Sequence, residues 1–298
     1  MDHKRLVPDL ALLSGAFVWG VIWYPYRVLE HAGVGGASAA FVTYSLALLP
    51  ALVLFRNQLQ AFQAAPLLLV AIALSAGWCN LAYVMAMVRG EVMQVMLLFY
   101  LAPLWTVLLS RVLLHERLGA VGYLVVALSL AGAMVMLWRP GDELPLPASA
   151  AQWLGLSSGV AFALSNVLSR RAKAIDVRVR SLGVWIGVSV VALPLMLILE
   201  HPLAAVTSLG VAEWGLVVMV AAVIFSVNIS VQHGLAHTPA NRAIVLFLTE
   251  LIFAATAASW LAGESMDRQQ WLGGVMIVAA TLFSGRLDTV AERSVARA

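Results

Sequence analysis

Glu250 is the acidic residue whose position is hardest to explain by structure alone. It lies nine residues into the apolar stretch 241–262, and it is the one acid of 15 near the centre of such a stretch. A lone carboxylate in an apolar environment costs several kcal/mol, so its side chain must face a cavity or carry a proton. Two interpretations remain open: Glu250 binds a cationic group or carries a proton in its function, or it is a protonated structural group that hydrogen bonds to a neighbouring helix.

Asparagine side chains stand in three other apolar stretches, as Asn80, Asn166 and Asn228. An amide among apolar groups needs hydrogen-bond partners, so these side chains should point into the interior of the fold. Each of them either joins neighbouring helices or contacts a ligand.

Aromatic residues are abundant, with ten Trp, ten Phe and six Tyr. Many lie near the ends of apolar stretches, which is typical of a membrane–water interface. Six lie deeper: Trp19, Trp23, Trp78, Tyr83, Tyr100 and Phe162. Their faces can stack on an aromatic ring or hold an ammonium group, or they pack against neighbouring helices and lipid.

The sequence contains no combination of residues that is typical of an active site. It has no Gly-x-x-x-x-Gly-Lys-Ser/Thr loop for ATP, and its single Cys and six scattered His have no metal-ligand spacing. Paired acids or a Ser/His pair at membrane depth, which an intramembrane enzyme would need, are also missing. We therefore predict a non-enzymatic protein without a cofactor or metal.

The elements that must position these side chains are membrane-spanning helices. Of the 298 residues, 62% are hydrophobic and only 11% are charged, and the mean hydropathy is +0.93. So few charges cannot cover a soluble core of this size, which excludes a soluble enzyme, a disordered chain and a nucleic-acid-binding module. The sequence predicts an all-α polytopic membrane protein with ten transmembrane helices of about 20 residues. The predicted spans are roughly 10–29, 37–55, 66–88, 92–113, 119–138, 152–170, 181–199, 213–235, 241–262 and 270–286.

The basic residues orient these spans. With the N-terminus in the cytoplasm, fourteen of the 18 Lys and Arg residues fall on the cytoplasmic side, as the positive-inside rule requires. We expect both termini to be cytoplasmic, in a bacterial-type inner membrane.

The two halves of the sequence resemble each other. Residues 77–132 align without a gap on residues 225–280. The matched pairs include Asn80 with Asn228, Phe99 with Phe247, and Glu116 with Glu264. Each half has five spans, an odd number, so the second half must enter the membrane inverted relative to the first.

The predicted organisation is therefore a five-helix repeat in residues 1–140, a linker in residues 141–151, and a second five-helix repeat with a short cytoplasmic tail in residues 152–298. Inverted repeats are frequent in secondary transporters, because exchanging the conformations of the halves moves access from one side of the membrane to the other.

Proline residues mark the predicted hinges of these helices. Pro25 and Pro103 are expected to interrupt helices at membrane depth, and Pro50 and Pro194 to do so nearer to span ends. Each removes a backbone hydrogen bond and allows the helix to bend.

The segment YLAPLWTVLLSRVLLHERL carries Pro103 in mid-helix and Glu116 thirteen residues later. Together with ten spans in two halves, this pattern resembles the drug/metabolite transporter superfamily of the EamA type. Glu264 matches it in the second half, where Leu251 stands at the proline position. The segment FYLAPLWT also resembles the YLWP segment of YddG-type aromatic amino-acid exporters, with Ala102 in place of the Trp.

This resemblance implies a basket of helices around a central cavity, built mainly from the first, third and fourth spans of each half. It also implies export of small metabolites by alternating access, and amino acids with aromatic or large apolar side chains are the expected substrates. A multidrug exporter of lipophilic cations is the alternative, followed by a receptor or assembly factor that transports nothing.

The expected partners are a small-molecule substrate and the lipid bilayer, with no nucleic acid, and the chain is expected to act as a monomer or a weak dimer. The expected substrate-binding residues are Trp19, Trp78, Asn80, Tyr83, Tyr100, Phe162, Asn166, Asn228 and Glu250, and the expected hinge residues are Pro25 and Pro103.

Overall fold

The computed structural model describes residues 3–63, 65–115, 119–138, 146–172, 175–200, 209–238 and 240–295. These residues form α-helices joined by short connections, with no β-strand among them. The helices of the first half are α1 (His3–Val21), α2 (Trp23–His31), α3 (Gly36–Leu54), α4 (Pro66–Arg89), α5 (Val92–Phe99), α6 (Ala102–Leu113) and α7 (Ala120–Leu137), with a 3₁₀ segment at Arg56–Gln63. Those of the second half are α8 (Ala150–Arg171), α9 (Val177–Leu199), α10 (Val211–His237), α11 (Ala240–Ala262) and α12 (Arg268–Val295). Glu116 and most of the predicted linker lie outside the described residues.

Eight stretches within these residues are long and apolar enough to cross a membrane. They are Leu6–His31, Gly36–Leu54, Pro66–Arg89, Val92–Leu113, Ala120–Leu137, Arg178–Leu199, Val211–His237 and Arg242–Ala262. The other two predicted spans, 152–170 and 270–286, fall on α8 and α12. Polar side chains such as Gln152, Ser158 and Asn166 make α8 less apolar than its neighbours.

Two of the predicted spans consist of two helices each. The first span changes from α1 to α2 at Ile22, and the fourth is interrupted between α5 and α6 at Tyr100 and Leu101. Each interruption is followed within one turn by a proline, Pro25 or Pro103. A proline cannot donate a hydrogen bond to the carbonyl four residues before it, which is the physical reason for a break at this position.

Pro50 and Pro194 have no such effect. They lie inside the helices α3 and α9, which continue on both sides of them. The expectation that these two prolines interrupt their helices is therefore wrong.

The two halves of the chain are interleaved. Helix α1 packs against α10 and α11, α3 against α9 and α10, α4 against α8 and α9, and α7 against α12, while α8 also lies against α5 and α6. Each of these contacts joins a helix of residues 3–137 to one of residues 150–295. We call the face of the bundle at which α2, α4 and α11 end the distal face, and the opposite face, where α1 begins, the proximal face.

Glycine allows the closest of these contacts. A β-carbon on Gly187 of α9 would overlap the backbone carbonyl of Ala73 of α4, and one on Gly77 of α4 would overlap the backbone of Gly187. The two helices therefore touch backbone to backbone, as small residues permit in membrane proteins.

Candidate functional site

Glu250 lies in the middle of α11 and is 7% exposed. Its Oε2 atom accepts a hydrogen bond of 3.0 Å from the hydroxyl of Tyr100, which also lies 3.3 Å from the backbone oxygen of Phe247. Tyr100 reaches the carboxylate because it stands in the interruption between α5 and α6. Within the described part of the chain, Glu250 forms no ion pair.

Tyr83 of α4 supplies a second hydroxyl near this carboxylate. Tyr83 and Tyr100 both interact electrostatically with Glu250. The Tyr83 hydroxyl is buried and has no hydrogen-bond partner among the described residues. An unsatisfied buried hydroxyl costs about 1–3 kcal/mol, so a ligand or water that accepts from it would be stabilised here.

Aromatic rings lie beside these polar groups. The ring of Phe99 lies 5.3 Å from that of Tyr83, 5.9 Å from that of Tyr100 and 5.3 Å from that of Phe162. Phe247, whose backbone oxygen lies 3.3 Å from the hydroxyl of Tyr100, has its ring 5.8 Å from that of Trp19. We call these residues the central cluster: Trp19, Tyr83, Phe99, Tyr100, Phe162, Phe247 and Glu250.

The interruption at Tyr100 also frees a backbone carbonyl. Pro103 has no N–H, so the Phe99 oxygen lacks its usual donor within the helix. That oxygen faces α8 at Gly159, where a β-carbon would come within 2.7 Å of it. The break therefore sits in direct contact with the other half of the molecule.

Two of the predicted site residues instead join helices outside this cluster. The amide oxygen of Asn80 accepts a hydrogen bond of 2.8 Å from Tyr44 on α3, and its amide nitrogen donates to the Ala76 carbonyl. The indole nitrogen of Trp78 donates to the hydroxyl of Ser157 on α8 at 3.3 Å.

Asn166 and Asn228 have no hydrogen-bond partner among the described residues. Asn166 lies about one turn of α8 beyond Phe162, on the same helix face and towards the proximal end. Phe162 is 41% exposed and Asn166 is exposed as well. This face of α8 thus continues from the central cluster towards the proximal face. Asn228 is half-buried on α10, which packs against α1.

The structure therefore brings together Trp19, Tyr83, Tyr100, Phe162 and Glu250 of the predicted residues. It adds Phe99 and Phe247, which are not among the site residues predicted from the sequence. A signal for both was present, because Phe99 and Phe247 are aligned with each other in the two halves of the sequence.

At the distal face, Arg27 of α2 joins three segments of the chain. Its guanidinium donates to the backbone oxygen of Met87 at 2.9 Å, to that of Gly90, and to Oε1 of Glu264 at 3.1 Å. The other carboxylate oxygen of Glu264 accepts 2.7 Å from the backbone N–H of Val92, at the start of α5. We call these five residues the distal latch.

The latch is shielded from solvent and ties the two halves together. The side chains of Arg27 and Glu264 are 18% and 17% exposed, and the Arg27 guanidinium lies 4.7 Å above the centre of the Trp23 ring.

An open cleft of about 610 Å³ at the distal face is lined by Trp23, Arg27, Arg89 and Glu264, among others. Trp23 and Met87 belong to the same buried apolar core as Tyr100, so packed side chains lie between the cleft and the central cluster.

A bundle of membrane-crossing helices with a buried carboxylate and aromatic rings at its centre has the architecture of a membrane transporter. The chain belongs to the EamA-like transporter family, whose family model matches residues 6–138 and again residues 149–286.

Two individual proteins are also similar to this chain. An uncharacterized transporter from Archaeoglobus fulgidus is 30% identical over 211 residues, which cover 69% of this chain and 71% of that protein. A solved structure, described only as the crystal structure of a protein, superposes with a TM-score of 0.59 and 16% identity, covering 95% of this chain and 98% of that one. The second likeness concerns the fold alone.

Proposed function

We propose that this transporter is an inner-membrane secondary exporter of small metabolites, and that its favoured substrates are amino acids with aromatic or large apolar side chains. The observation that carries the proposal is the central cluster, in which a buried carboxylate is bonded to Tyr100 and aromatic rings pack beside that tyrosine. The carboxylate suits a substrate ammonium group, and the rings suit an aromatic or apolar side chain. The free hydroxyl of Tyr83 can donate to the carboxylate of the same substrate.

The proposed transport cycle is alternating access by ten spans in two inverted five-helix repeats, residues 1–140 and 152–298. In its support, the family model matches each half of the chain separately. The distal latch then closes the site on the extracytoplasmic side, and the exposed face of α8 leads from the site to the cytoplasm.

Reporter fusions test the inverted arrangement. A reporter fused after Ala148 should be extracytoplasmic, and one fused after Lys173, on the other side of α8, should be cytoplasmic. The reason for this orientation is that it places 14 of the 18 Lys and Arg residues on the cytoplasmic side. An extracytoplasmic reporter after Lys173 would contradict both the span number and the repeat.

Substrate flux in proteoliposomes tests the proposed substrate class. The panel contains aromatic, large apolar and small polar amino acids, together with quaternary lipophilic cations, which have neither a carboxylate nor an N–H group to donate to Glu250. We expect flux of phenylalanine, tryptophan and leucine, weak flux of serine, and no competition by the cations. Flux of serine equal to that of phenylalanine would contradict the role of the aromatic rings.

The alternative, export of lipophilic cations, is favoured by one feature, which is that no basic residue of the described chain pairs with Glu250. A cation without a carboxylate would use the buried acid and the rings but not the Tyr83 hydroxyl. If the protein transports the cations and does not transport amino acids, this alternative replaces our proposal.

A further inference from the structure

The carboxylate of Glu250 is only partly satisfied by the protein. Tyr100 donates to Oε2, and no donor to Oε1 occurs among the described residues. A charged carboxylate at this depth is unfavourable without a counter-charge. Either a proton or a cationic ligand must therefore complete this group.

The helices packed against α11 bring no fixed cation to its level. On α1, Asp9 is paired with Arg242 of α11, and Arg242 lies about 12 Å along the helix from Glu250. On α12, Arg268 stands at the distal end and is the one ionisable residue among the described side chains 268–283. Helix α5 has no ionisable residue at all.

The remaining ionisable neighbours do not change this conclusion. On α10, Glu213 stands in the first turn at the distal end, while His233 and His237 lie near the proximal end. On α4, the ionisable side chains are Cys79 and Tyr83, near the middle of the helix, and Arg89 at its distal end. None of these side chains is a permanent cation beside Glu250.

We infer that Glu250 binds a proton and the ammonium group of the substrate in turn, so that the transporter exchanges one proton for each substrate molecule. This inference rests on the proposed function and deepens it. When the site opens to the cytoplasm, the carboxylic acid gives its proton to water and the carboxylate binds the substrate ammonium. When it opens to the outside, the substrate leaves with its ammonium intact and a proton from outside takes its place on the carboxylate.

The surroundings of Glu250 fit both occupants. Tyr100 holds Oε2 in either state, because its hydroxyl can donate to Oε2 of the carboxylate and equally to Oε2 of a carboxylic acid that is protonated on Oε1. The ring of Tyr100, whose hydroxyl contacts the carboxylate, and the ring of Phe99 at 5.9 Å from it offer an apolar, electron-rich surface to an ammonium group. Proton and ammonium cannot both occupy the one free oxygen, which makes their binding mutually exclusive.

The exchange has an electrical signature that depends on the substrate. Export of a zwitterion such as phenylalanine against one proton moves one positive charge inwards. Export of a monovalent amine such as phenethylamine against one proton moves no net charge. A membrane potential that is negative inside should therefore accelerate export of phenylalanine and leave phenethylamine export unchanged.

The experiment uses the full-length protein in liposomes that contain a pH-sensitive dye. Phenylalanine, phenethylamine and 3-phenylpropionate are added as probes, of which the last has no ammonium group. We expect the first two to drive proton movement and the third to have no effect. Glu250→Gln should abolish proton movement, weaken phenethylamine binding about tenfold or more and remove its pH dependence. Glu213→Gln, an acid at the end of α10, is the matched control and should behave as the wild type.

An infrared measurement tests the inference even if none of the probes is transported. Subtracting the infrared spectrum of Glu250→Gln from that of the wild type isolates the carboxylic acid band of Glu250. This band should disappear as the pH is raised, and in the presence of phenethylamine it should disappear at a lower pH. A band that neither pH nor amine affects would overturn the inference, and so would proton-coupled flux by Glu250→Gln. Phenylalanine flux that is independent of Glu250 would overturn the inference and leave the proposed function standing.

Discussion

At the scale of single residues, the contact between Tyr100 and Glu250 joins positions 150 apart in the chain through one hydrogen bond of 3.0 Å. Hydrogen bonds to charged groups contribute about 1.5–3 kcal/mol. Tyr100→Phe should therefore weaken substrate binding about tenfold or more while the ring stays in contact with Phe99. Binding assays across pH with purified protein check this expectation.

Tyr83→Phe is an informative comparison with Tyr100→Phe, because the hydroxyl of Tyr83 has no hydrogen-bond partner among the described residues. Its removal should leave the thermal stability of the empty protein unchanged or slightly raised, since a buried unsatisfied group is lost. Binding of phenylalanine should weaken and binding of phenethylamine should not. Equal weakening of both ligands would contradict a contact between Tyr83 and the substrate carboxylate.

The sequence predicts the depth of these residues better than their direction. Trp78 and Tyr83 lie five positions apart on α4, and both are deep in the span. Only Tyr83 reaches the central cluster, while Trp78 bonds to Ser157 on α8. A helix in an apolar surrounding has no polar face to mark its interior, so the direction of each side chain depends on packing that the sequence does not display.

At the scale of helices, the interruption between α5 and α6 is the clearest consequence of a single residue. Pro103→Ala restores an N–H donor for the Phe99 carbonyl and should straighten the fourth span. We expect normal expression, near-normal substrate affinity and slowed flux, because a stiffer helix opens and closes less readily. Pro194→Ala, at a proline inside the continuous helix α9, is the matched control. Wild-type flux from well-folded Pro103→Ala protein would count against a hinge.

The crossing of α4 and α9 gives a prediction about stability. A methyl group at Gly187 would overlap the Ala73 carbonyl, so Gly187→Ala must push the helices apart. We expect a loss of about 1–3 kcal/mol, the usual cost of overpacking. Gly215→Ala, where a β-carbon meets nothing within 4 Å, should be neutral or stabilising. Thermal unfolding of both variants in detergent measures the difference, and equal melting temperatures would contradict a tight crossing.

At the scale of the whole molecule, the interleaving of the two halves limits how they can move. Helices α3 and α4 pack against α9, and α1 packs against α10 and α11. Rocking the halves as two rigid blocks would break all of these contacts at once. Bending at Ile22 and at Tyr100–Leu101 preserves most of them, which favours local movement of helix segments during transport.

The alignment of the halves was readable from the sequence, but their interleaving was not, because no residue type marks which helix faces which.

The distal latch should control access to the central cluster from the distal face. The ion pair of the latch is partly buried, so removing one partner leaves the other without its counter-charge. If the pair exists only in the closed state, this loss destabilises the closed state by about 2 kcal/mol. Such a cost changes the ratio of closed to open molecules by about 30-fold. A cysteine introduced at the buried Met87, in a Cys79→Ser background, reports opening through its reaction with an impermeant maleimide.

Arg27→Ala and Glu264→Gln should each accelerate this labelling from the distal face, whereas Arg89→Ala, which removes the more exposed pair with Glu30, should not. The double variant Arg27→Glu with Glu264→Arg exchanges the two charges and restores an ion pair. It does not restore the hydrogen bonds that Arg27 donates to the carbonyls of Met87 and Gly90. It also removes the carboxylate that accepts from the N–H of Val92. Labelling of the double variant should therefore lie between the wild type and Arg27→Ala. Labelling at the wild-type rate in Arg27→Ala would mean that apolar packing around Trp23, and not the latch, closes this face.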